Sequence, residues 1–412
     1  MHAVISQDPR VDTMKILVVQ DADWLAKGPH QQHHLIEKLS AEGHEIMVIC
    51  FDQLWRDKQE SFISARIFMK GVHRFYDDAR VDYIKPAFVR LPIIDYLSFW
   101  LFLAKEKETV KRFQPEIVVG FTSILSCYWG ARLSRRLNIP FVFYWTDVIH
   151  TLLPFRLLKG VGFLLEQHIM VLSSSIIAIN ESLKEYILEM GAANTQILVI
   201  PGGVDFGRFN TDAIDREIIR SRYDIKRSDF VIFFMGWIYE FSGLRQIVSE
   251  LASARDKMPR VKLLIVGEGD GYRGLRNLVQ KLQIEDQVVL TGKRPYEEIP
   301  GLISSADICI LPAEDNETMR HIVPIKMYEY LAMGKPVVAS RLNGLLKEFG
   351  ENNGVIYIDN PQQLLDCVSK LGSDEIRERS LQAKRFVTDY DWNDITDRFE
   401  KHLLSEIERR CQ

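Results

Sequence analysis

A helix-forming segment at 321–340, HIVPIKMYEYLAMGKPVVAS, carries residues suited to hold a phosphorylated ligand. Pro324 fits the first turn of a helix, because its missing N–H is not needed there. The N–H groups of Ile325 and Lys326 then lie at the positive end of the helix dipole, which favours a phosphate. Glu329 follows one turn later on the same face, where its carboxylate could accept hydrogen bonds from both hydroxyls of a ribose. The pattern alone also fits a solvated helix with one Glu–Lys pair.

Two glycine-containing loops are further candidates for ligand contact. The stretch VGEGDGYRGLR at 266–276 is spaced as GxGxG and lacks the GxGxxG of dinucleotide sites, so alone it fits a flexible loop equally well. Gly28 precedes a helical pattern whose first turn contains His30. A glycine there suits close approach to an anion or a sugar, and an ordinary turn explains it equally. We expect the other polar side chains of that turn to lie outside the core: Gln31, His33 and His34.

Asp147 is the acid that we assign to catalysis. It follows the apolar run PFVFYW at 140–145, so it stands at the carboxyl end of a predicted strand. An unpaired acid at that place is costly unless it serves a ligand. The residue would equally suit a cap for the helix that follows.

Composition excludes several classes of protein. The 412 residues are 47% hydrophobic and 26% charged, with 52 Lys and Arg against 56 Asp and Glu, so the net charge is −4. No global basic field is available to bind nucleic acid. Five scattered cysteines form no CxxC pair, which predicts a reducing, cytoplasmic location and no metal site or metal cofactor. The apolar runs are far shorter than the ~20 residues of a membrane-spanning helix.

Apolar runs separated by helical patterns predict the elements that position these residues. The first array has six such runs: 15–19, 45–51, 116–121, 140–145, 175–179 and 196–201. The second array also has six: 230–236, 262–267, 287–292, 307–312, 335–340 and 354–358. This alternation is typical of α/β domains with doubly wound parallel sheets buried on both faces. Ligands are then expected at the carboxyl ends of the strands.

A charge-rich stretch between the arrays sets the predicted domain boundary. We expect an N-terminal extension at 1–13, a first Rossmann-like domain at 14–205 and a second at 206–388. The segment 389–412 has the apolar spacing of a final helix.

Four motifs together resemble the retaining GT-B glycosyltransferases of family 4, the glycosyltransferase group 1 family. They are IPGGVDFGRF at 200–209, VGEGDGYRGL at 266–275, SADICILPA at 305–313 and VPIKMYEYLAMGKPVVAS at 323–340. The resemblance implies a GT-B fold, in which two Rossmann-like domains face each other across a cleft. It implies that the first domain binds the acceptor, the second binds a nucleotide sugar, and the final helix packs back on the first. The family usually needs no divalent metal.

The resemblance also implies roles for single residues. Glu329 matches the ribose-binding carboxylate, while Ile325 and Lys326 match the helix end that holds the pyrophosphate. Gly28, with His30 beside it, matches the first-domain loop. The full donor set implied is Glu329, Lys326, Ile325, Arg245, Gly236, Gly267, Gly292 and His321.

This chain departs from the family pattern at three positions. Trp237 and Ser242 stand where many members have an Arg and a Lys that grip the pyrophosphate. Arg245 and Lys326 are the cations available to replace them. His321 stands at the place of a common carboxylate, eight residues before Glu329.

Transfer of a hexosyl group from a UDP- or GDP-linked sugar, with retention, is the leading functional hypothesis. A second hypothesis is a non-catalytic nucleotide-sugar-binding partner subunit, and a third is a nucleotide-sugar hydrolase or epimerase on the same fold. Within 64–112 there are ten basic against six acidic residues beside the apolar run LSFWLFLA. That combination suits an anionic membrane surface and a lipid-linked or glycan acceptor, although a core helix with solvated charged ends has the same composition.

Overall fold

The computed structural model describes residues 13–26, 28–51, 62–91, 94–153, 155–193, 196–210, 215–317 and 319–411. The predicted extension at 1–13 lies outside these ranges except for its last residue. By compactness the chain forms two units. The first comprises the described residues up to Trp145, Leu153–Ile177 and the chain from Thr396 onward. The second comprises Thr146–Leu152 and Ala178–Ile395, so the division falls earlier than the predicted boundary after Asp205.

An eight-stranded sheet occupies the amino-terminal half of the chain. Its strands are β1 (Lys15–Val19), β2 (Glu45–Ile49), β4 (Ile67–Val72), β5 (Val81–Lys85), β7 (Ile117–Phe121), β8 (Phe141–Trp145), β9 (Ser175–Ala178) and β10 (Ile197–Val199), in the order β10-β9-β8-β7-β1-β2-β5-β4. Strand β1 pairs in parallel with β2 and β7. Its last four residues are buried, as its continuous apolar sequence predicts.

The prediction of a wholly parallel first sheet is wrong at its edge. Strand β4 pairs antiparallel with β5, and β3 (Ile63–Ser64) pairs antiparallel with β6 (Phe88–Val89) in a separate two-stranded sheet. Most of β4 is exposed, and Lys70 and Gly71 interrupt its apolar sequence IFMKGV.

A six-stranded parallel sheet follows. Its strands are β11 (Phe230–Met235), β12 (Val261–Val266), β13 (Val288–Leu290), β14 (Ile308–Leu311), β15 (Val337–Ser340) and β16 (Val355–Ile358). The order β13-β12-β11-β14-β15-β16 is that of a doubly wound α/β domain, and the order in which strands are added reverses between the parallel neighbours β11 and β14. A ligand crevice is expected at the carboxyl ends of those two strands.

Both faces of this second sheet are buried. Along β11, Phe233 and Met235 belong to one apolar cluster, while Ile232 and Phe234 belong to the other. Since successive strand residues point to opposite faces, two separate cores result. The prediction of a sheet covered on both sides is therefore confirmed for this unit.

Fifteen α-helices are present in the described part of the chain. They are α1 (Gln31–Ala41), α2 (Ile94–Leu103), α3 (Lys107–Phe113), α4 (Ile124–Leu137), α5 (Arg156–Leu172), α6 (Glu181–Glu189), α7 (Arg216–Ser221), α8 (Leu244–Ser253), α9 (Tyr272–Leu282), α10 (Ile299–Ser304), α11 (Lys326–Ala332), α12 (Asn343–Phe349), α13 (Leu364–Lys370), α14 (Ser373–Phe386) and α15 (Trp392–Cys411). None of them combines the length and hydrophobicity that a membrane span requires. In α15, His402 Nε2 lies 2.8 Å from Ser175 Oγ in the first unit.

Candidate functional site

The carboxyl ends of β11, β12 and β13 are joined by backbone hydrogen bonds between their loops. The N–H of Gly236 donates to Val266 O at 2.9 Å, and the N–H of Gly267 donates to Gly292 O at 3.0 Å. Three glycines of the predicted donor set thus lie side by side at the carboxyl edge of the sheet. This edge is where the strand order places a ligand.

Two of these glycines serve different purposes. A Cβ on Gly267 would lie 1.9 Å from Gly236 O, and its φ of +139° is one that other residues rarely adopt. Gly267 is therefore required by the contact between the two loops. A Cβ on Gly292 would meet no atom closer than 3.9 Å. Gly292 thus borders open space, which leaves its backbone accessible to a ligand.

Helix α11 is tied to the end of β11 by two side chains. Lys326 Nζ donates to Met235 O at 2.8 Å, and the Met235 N–H donates to Tyr330 Oη at 2.8 Å. The two side chains are four residues apart, so they lie on one helix face. A Cβ on Gly236 would come within 2.6 Å of Lys326 Nζ, which places the ammonium directly beside the loop glycine.

Glu329 lies on the same helix and is almost fully buried. Its carboxylate accepts a short hydrogen bond from the Tyr296 hydroxyl. Burial raises the pKa of Glu329 to about 7, although the Tyr296 bond and the nearby Lys326 both act to lower it. The site therefore holds a carboxyl group whose charge changes near neutral pH.

The pKa of Lys326 is shifted in the opposite direction, below its ordinary value. Burial lowers the pKa of its ammonium to about 8, while Glu329 acts to raise it. Its Nζ also lies 4.6 Å from the centre of the Phe234 ring, where the π face stabilises a cation. An ammonium group at this place is well suited to an anionic ligand group.

Ile325 occupies the N-cap position of α11, so the helix begins at Lys326, two residues after the predicted start at Pro324. The first N–H of this turn with a backbone partner is that of Met327, which donates to Pro324 O at 3.0 Å. The placement of Lys326 and Glu329 on one helix turn was predictable from the segment, whereas the burial of Glu329 was not. Tyr296 was missed, because nothing in the sequence KRPYEEIP distinguishes a residue that reaches a helix 33 positions later.

Arg245 is not brought to the Lys326–Glu329 pair by any contact that the structure describes. It is exposed on α8, and its guanidinium lies beside Gly274 of α9: a Cβ added to Gly274 would be 2.7 Å from Arg245 Nη1. Trp237 is partly exposed in the loop after β11, and Ser242 is buried before α8. Lys326 is thus the cation nearest to Gly236 in the described cluster.

His321 contacts α6. Its Nδ1 lies 2.9 Å from Ser182 Oγ, its carbonyl accepts from Asn180 Nδ2 at 2.9 Å, and its ring centroid is 5.1 Å from that of Tyr186. Burial lowers the pKa of the imidazole. These contacts fix the loop that leads into α11, which gives His321 a clear structural role.

Asp147 is partly buried at the carboxyl end of β8. Burial raises the pKa of its carboxyl group, and a hydrogen bond from Thr146 Oγ1 at 2.9 Å opposes that shift. The charge of Asp147 in turn raises the pKa of the Tyr239 phenol, after the larger effect of burial. Asp147 therefore lies near an aromatic residue of the loop that follows β11.

The first-unit loop differs in part from its prediction. His30 is exposed at the N-cap of α1, and Gly28 lies against the His33 ring. The expectation that the other side chains of this turn lie outside the core is wrong. His33 Nδ1 accepts from the His30 N–H at 3.1 Å, His33 Nε2 donates to Trp24 O, and burial lowers the pKa of the ring to about 3.

Hydrogen bonding explains the burial of the remaining members of that turn. His34 Nδ1 lies 2.9 Å from Tyr76 Oη, and Gln31 donates to Tyr144 Oη. A buried polar side chain is tolerated when it is paired in this way. Residue type alone could not reveal these partners, which come from distant parts of the chain.

One group of potential metal ligands occurs in the described residues: Glu42, His44 and Glu400. His44 Nδ1 accepts from the Met14 N–H at 3.0 Å, so the proton of the neutral ring lies on Nε2, which is 2.9 Å from Glu400 Oε1. A metal would need the lone pair of that same nitrogen. The hydrogen-bonding pattern therefore fits a structural hydrogen bond from His44 to Glu400 better than a metal site.

Comparison with known families decides the classification. Residues 215–409 match the family described as Glycosyl transferases group 1, and residues 31–208 match Glycosyltransferase Family 4. The chain belongs to these glycosyltransferases. The predicted resemblance is confirmed at the level of the family.

Curated relatives of this glycosyltransferase match over part of their length. A 2-deoxystreptamine glucosyltransferase of Streptomyces kanamyceticus is 29% identical over 40% of this chain and 41% of its own. An alpha-monoglucosyldiacylglycerol synthase of Streptococcus pneumoniae is 24% identical over 68% of this chain and 64% of its own. The chain spans between 41% and 64% of the length of the first four relatives.

Solved structures match nearly the whole chain. The Anabaena protein HepE in complex with UDP has a TM-score of 0.72 at 18% identity, covering 95% of this chain and 100% of that one. A sucrose-phosphate synthase from Thermosynechococcus elongatus has a TM-score of 0.76 at 16% identity, covering 95% and 98%. At these identities the likeness shows the fold, and the predicted GT-B class is confirmed.

Proposed function

We propose that this protein transfers a hexosyl group from a UDP- or GDP-linked sugar to an acceptor, with retention of configuration. The observation that carries the proposal is the Lys326–Glu329 pair on α11, at the carboxyl edge where the strand order reverses. Glu329 accepts hydrogen bonds from the ribose hydroxyls, and Lys326 neutralises charge on the diphosphate. Gly292 leaves its backbone open to the nucleotide.

In this proposal the protein acts chiefly by positioning and by electrostatics. As the bond to the sugar breaks, negative charge grows on the leaving diphosphate, and a fixed cation beside it stabilises the transition state. Lys326 is that cation, and Arg245 is a candidate second one. Asp147 is the catalytic acid of the proposal, and Gly28 and His30 belong to the acceptor loop. No metal is required.

The acceptor that we propose is lipid-linked or a glycan precursor, and the protein is peripheral at the cytoplasmic face of a membrane. Two relatives carry names that include lipids: the alpha-monoglucosyldiacylglycerol synthase above and a GDP-mannose-dependent alpha-(1-6)-phosphatidylinositol monomannoside mannosyltransferase of Mycobacterium tuberculosis. In the predicted membrane segment, Leu97, Trp100 and Leu101 are exposed, whereas Phe99 and Leu103 are buried. Part of that apolar run is therefore accessible.

A donor screen with mass detection of the released nucleotide tests the proposal. Each UDP- and GDP-sugar is incubated with a panel of lipid-linked and soluble acceptors, and without any acceptor. We expect nucleotide release that depends on the acceptor. Donor consumption without an acceptor would favour a hydrolase or epimerase, and binding without turnover would favour a non-catalytic partner subunit.

A further inference from the structure

Helix α5 exposes a long apolar stripe. Leu157, Leu164 and Val171 are 80%, 64% and 79% exposed, and Val161 lies between them at 47%. At 3.6 residues per turn these four side chains fall within an arc of about 80°, and the stripe is about 21 Å long. The exposed His168 falls in the same arc, so the stripe is apolar except at this imidazole between Leu164 and Val171. Phe155, directly before the helix, is also exposed. Large aliphatic side chains that are scattered singly on a surface are ordinary, whereas several aligned along one helix face indicate a partner.

The opposite side of α5 is already buried. Its buried residues are Gly162, Glu166, Ile169 and Met170, and the helix packs against α4. The exposed stripe is therefore not needed for the core of the first unit. The helix is apolar on two sides, one of which is left without a covering element in the described structure.

The neighbouring helices give this surface a single sign of charge. Helix α4 also packs against α2, so α2, α4 and α5 form one layer. The two carboxylates of the layer, Asp95 and Glu166, are 0% and 1% exposed. Its exposed charged side chains are all cationic: Arg132, Arg135, Arg136 and Arg156. Exposed apolar residues of α2 continue the pattern: Ile94, Leu97, Trp100 and Leu101.

We infer that α5 is a membrane-docking helix, which lies in the headgroup region of an anionic phospholipid bilayer with Leu157, Val161, Leu164 and Val171 inserted. Apolar side chains flanked by cations, without exposed carboxylates, complement such a surface. A second copy of the chain fits less well, because a symmetric contact would bring the same arginines together. The docking itself does not depend on the proposed function. The proposed lipid-linked acceptor only explains why the protein would bind a membrane.

Vesicle co-sedimentation tests the apolar stripe. The parent and the variant Leu157→Ser/Val161→Ser/Leu164→Ser are mixed with vesicles of phosphatidylcholine, with or without phosphatidylglycerol. We expect the parent to bind the anionic vesicles and the variant to lose about tenfold or more in partitioning. The matched control is Ile218→Ser/Leu381→Ser, which removes two exposed aliphatic residues of the second unit and is expected to bind as the parent does.

A second variant pair tests the charges. Arg135→Gln/Arg136→Gln is expected to weaken binding to anionic vesicles severalfold and to reduce its salt dependence. Lys281→Gln/Arg377→Gln removes two exposed cations elsewhere and is the control. Equal binding to neutral and anionic vesicles, or no binding by the parent, would overturn the inference. So would a dimer of the parent, measured by light scattering, that the triple variant dissociates.

Calorimetry with UDP and GDP separates this inference from the proposed function. The stripe variants are expected to keep the nucleotide affinity of the parent, which also shows that they are folded. Vesicle binding without nucleotide binding would preserve the docking helix and contradict the proposed transfer. Nucleotide binding without vesicle binding would contradict the docking helix and leave the proposed transfer standing.

Discussion

Burial controls the charge of the two residues on which the proposed site depends. Glu329 and Lys326 lie one turn apart on α11, and loss of water raises the pKa of one and lowers that of the other. Their pKa values of about 7 and about 8 therefore lie close together. Both groups are ionised together most fully between these values, where a nucleotide diphosphate is expected to bind best.

Replacement of Glu329 tests the carboxylate. At pH 8 we expect Glu329→Gln to weaken UDP or GDP binding about tenfold to hundredfold, because an ionised acceptor is worth ~1.5–3 kcal/mol. The affinity of the parent is expected to fall as the pH drops through 7, where Glu329 takes up a proton, and that of the variant to change less. Titration calorimetry from pH 6 to pH 8 measures both. Parallel pH profiles of parent and variant would remove Glu329 from the site.

The same carboxyl group affects stability. Its pKa in the folded state, about 7, is higher than the ordinary value of 4.5, so the folded protein holds this proton more tightly than the unfolded chain. Its contribution to the free energy of unfolding therefore decreases as the pH rises from about 4.5 to 7. We expect Glu329→Gln to reduce that decrease, as measured by urea unfolding at several pH values.

Replacement of Lys326 tests the cation. We expect Lys326→Met to weaken UDP binding by ~1.5–3 kcal/mol and to change uridine binding little, because uridine has no phosphate. Tyr330→Phe is the matched control, since it removes the other side chain that holds Met235 and leaves the ammonium. If both variants lose UDP equally, Lys326 acts through Met235 and not through charge. Arg245→Ala, measured alongside, shows whether the second candidate cation contributes.

Single residues were predictable where one short segment contains the whole signal. Lys326, Glu329 and Ile325 could be placed on one helix turn from their spacing alone. Tyr296, Tyr330 and the Met235 backbone could not, because their roles depend on contacts between segments. The buried imidazoles of α1 were misjudged for the same reason.

Among the elements, the loops after β11 and β12 depend most on backbone shape. Their packing leaves no room for a side chain on Gly267, whereas Gly292 faces open space. The sequence suggested one role, ligand approach, for both glycines. The structure adds a further role for Gly267, its contact with Gly236, because a backbone contact cannot be seen in a motif.

Two alanine variants test this difference. We expect Gly267→Ala to lower the free energy of unfolding by more than ~2 kcal/mol, from the clash with Gly236 O and the unfavourable φ. Gly292→Ala has φ +69° but no clash, so its cost is expected to be about 1–2 kcal/mol. Urea unfolding measures both. Equal losses would show that the loops relax around the added methyl group.

The strands of the two arrays were predictable because most of them are buried, which makes them continuous apolar runs. The twelve predicted runs all contain observed strands, with ends that differ by a few residues. The segment at 62–89 was missed because β4 is exposed and interrupted by Lys70, while β5 is mostly buried but carries Asp82 and Lys85. Edge strands lack the burial on which the prediction depends.

At the scale of the whole molecule, the supply of metal-binding side chains bears on whether the proposed reaction needs a metal ion. Within the described residues, Glu42, His44 and Glu400 form one possible ligand group, and the Met14 N–H holds its imidazole in the wrong tautomer. We therefore expect sugar transfer to persist in EDTA with at least half of its rate. Initial rates with EDTA, and with added magnesium or manganese, measure this. Loss of turnover in EDTA that either metal restores would contradict a metal-independent reaction.

The hydrogen bond between the Met235 N–H and Tyr330 gives one amide of a central strand an unusual property. This N–H donates to a side chain of α11, whereas the next amide, that of Gly236, donates to Val266 O within the sheet. Its exchange with deuterium therefore reports whether α11 stays docked, independently of the strands. A nucleotide held by Glu329 would stabilise α11 in place. If adding nucleotide slows exchange at Met235 more than it slows exchange at Gly236, this single amide is a label-free reporter of donor binding.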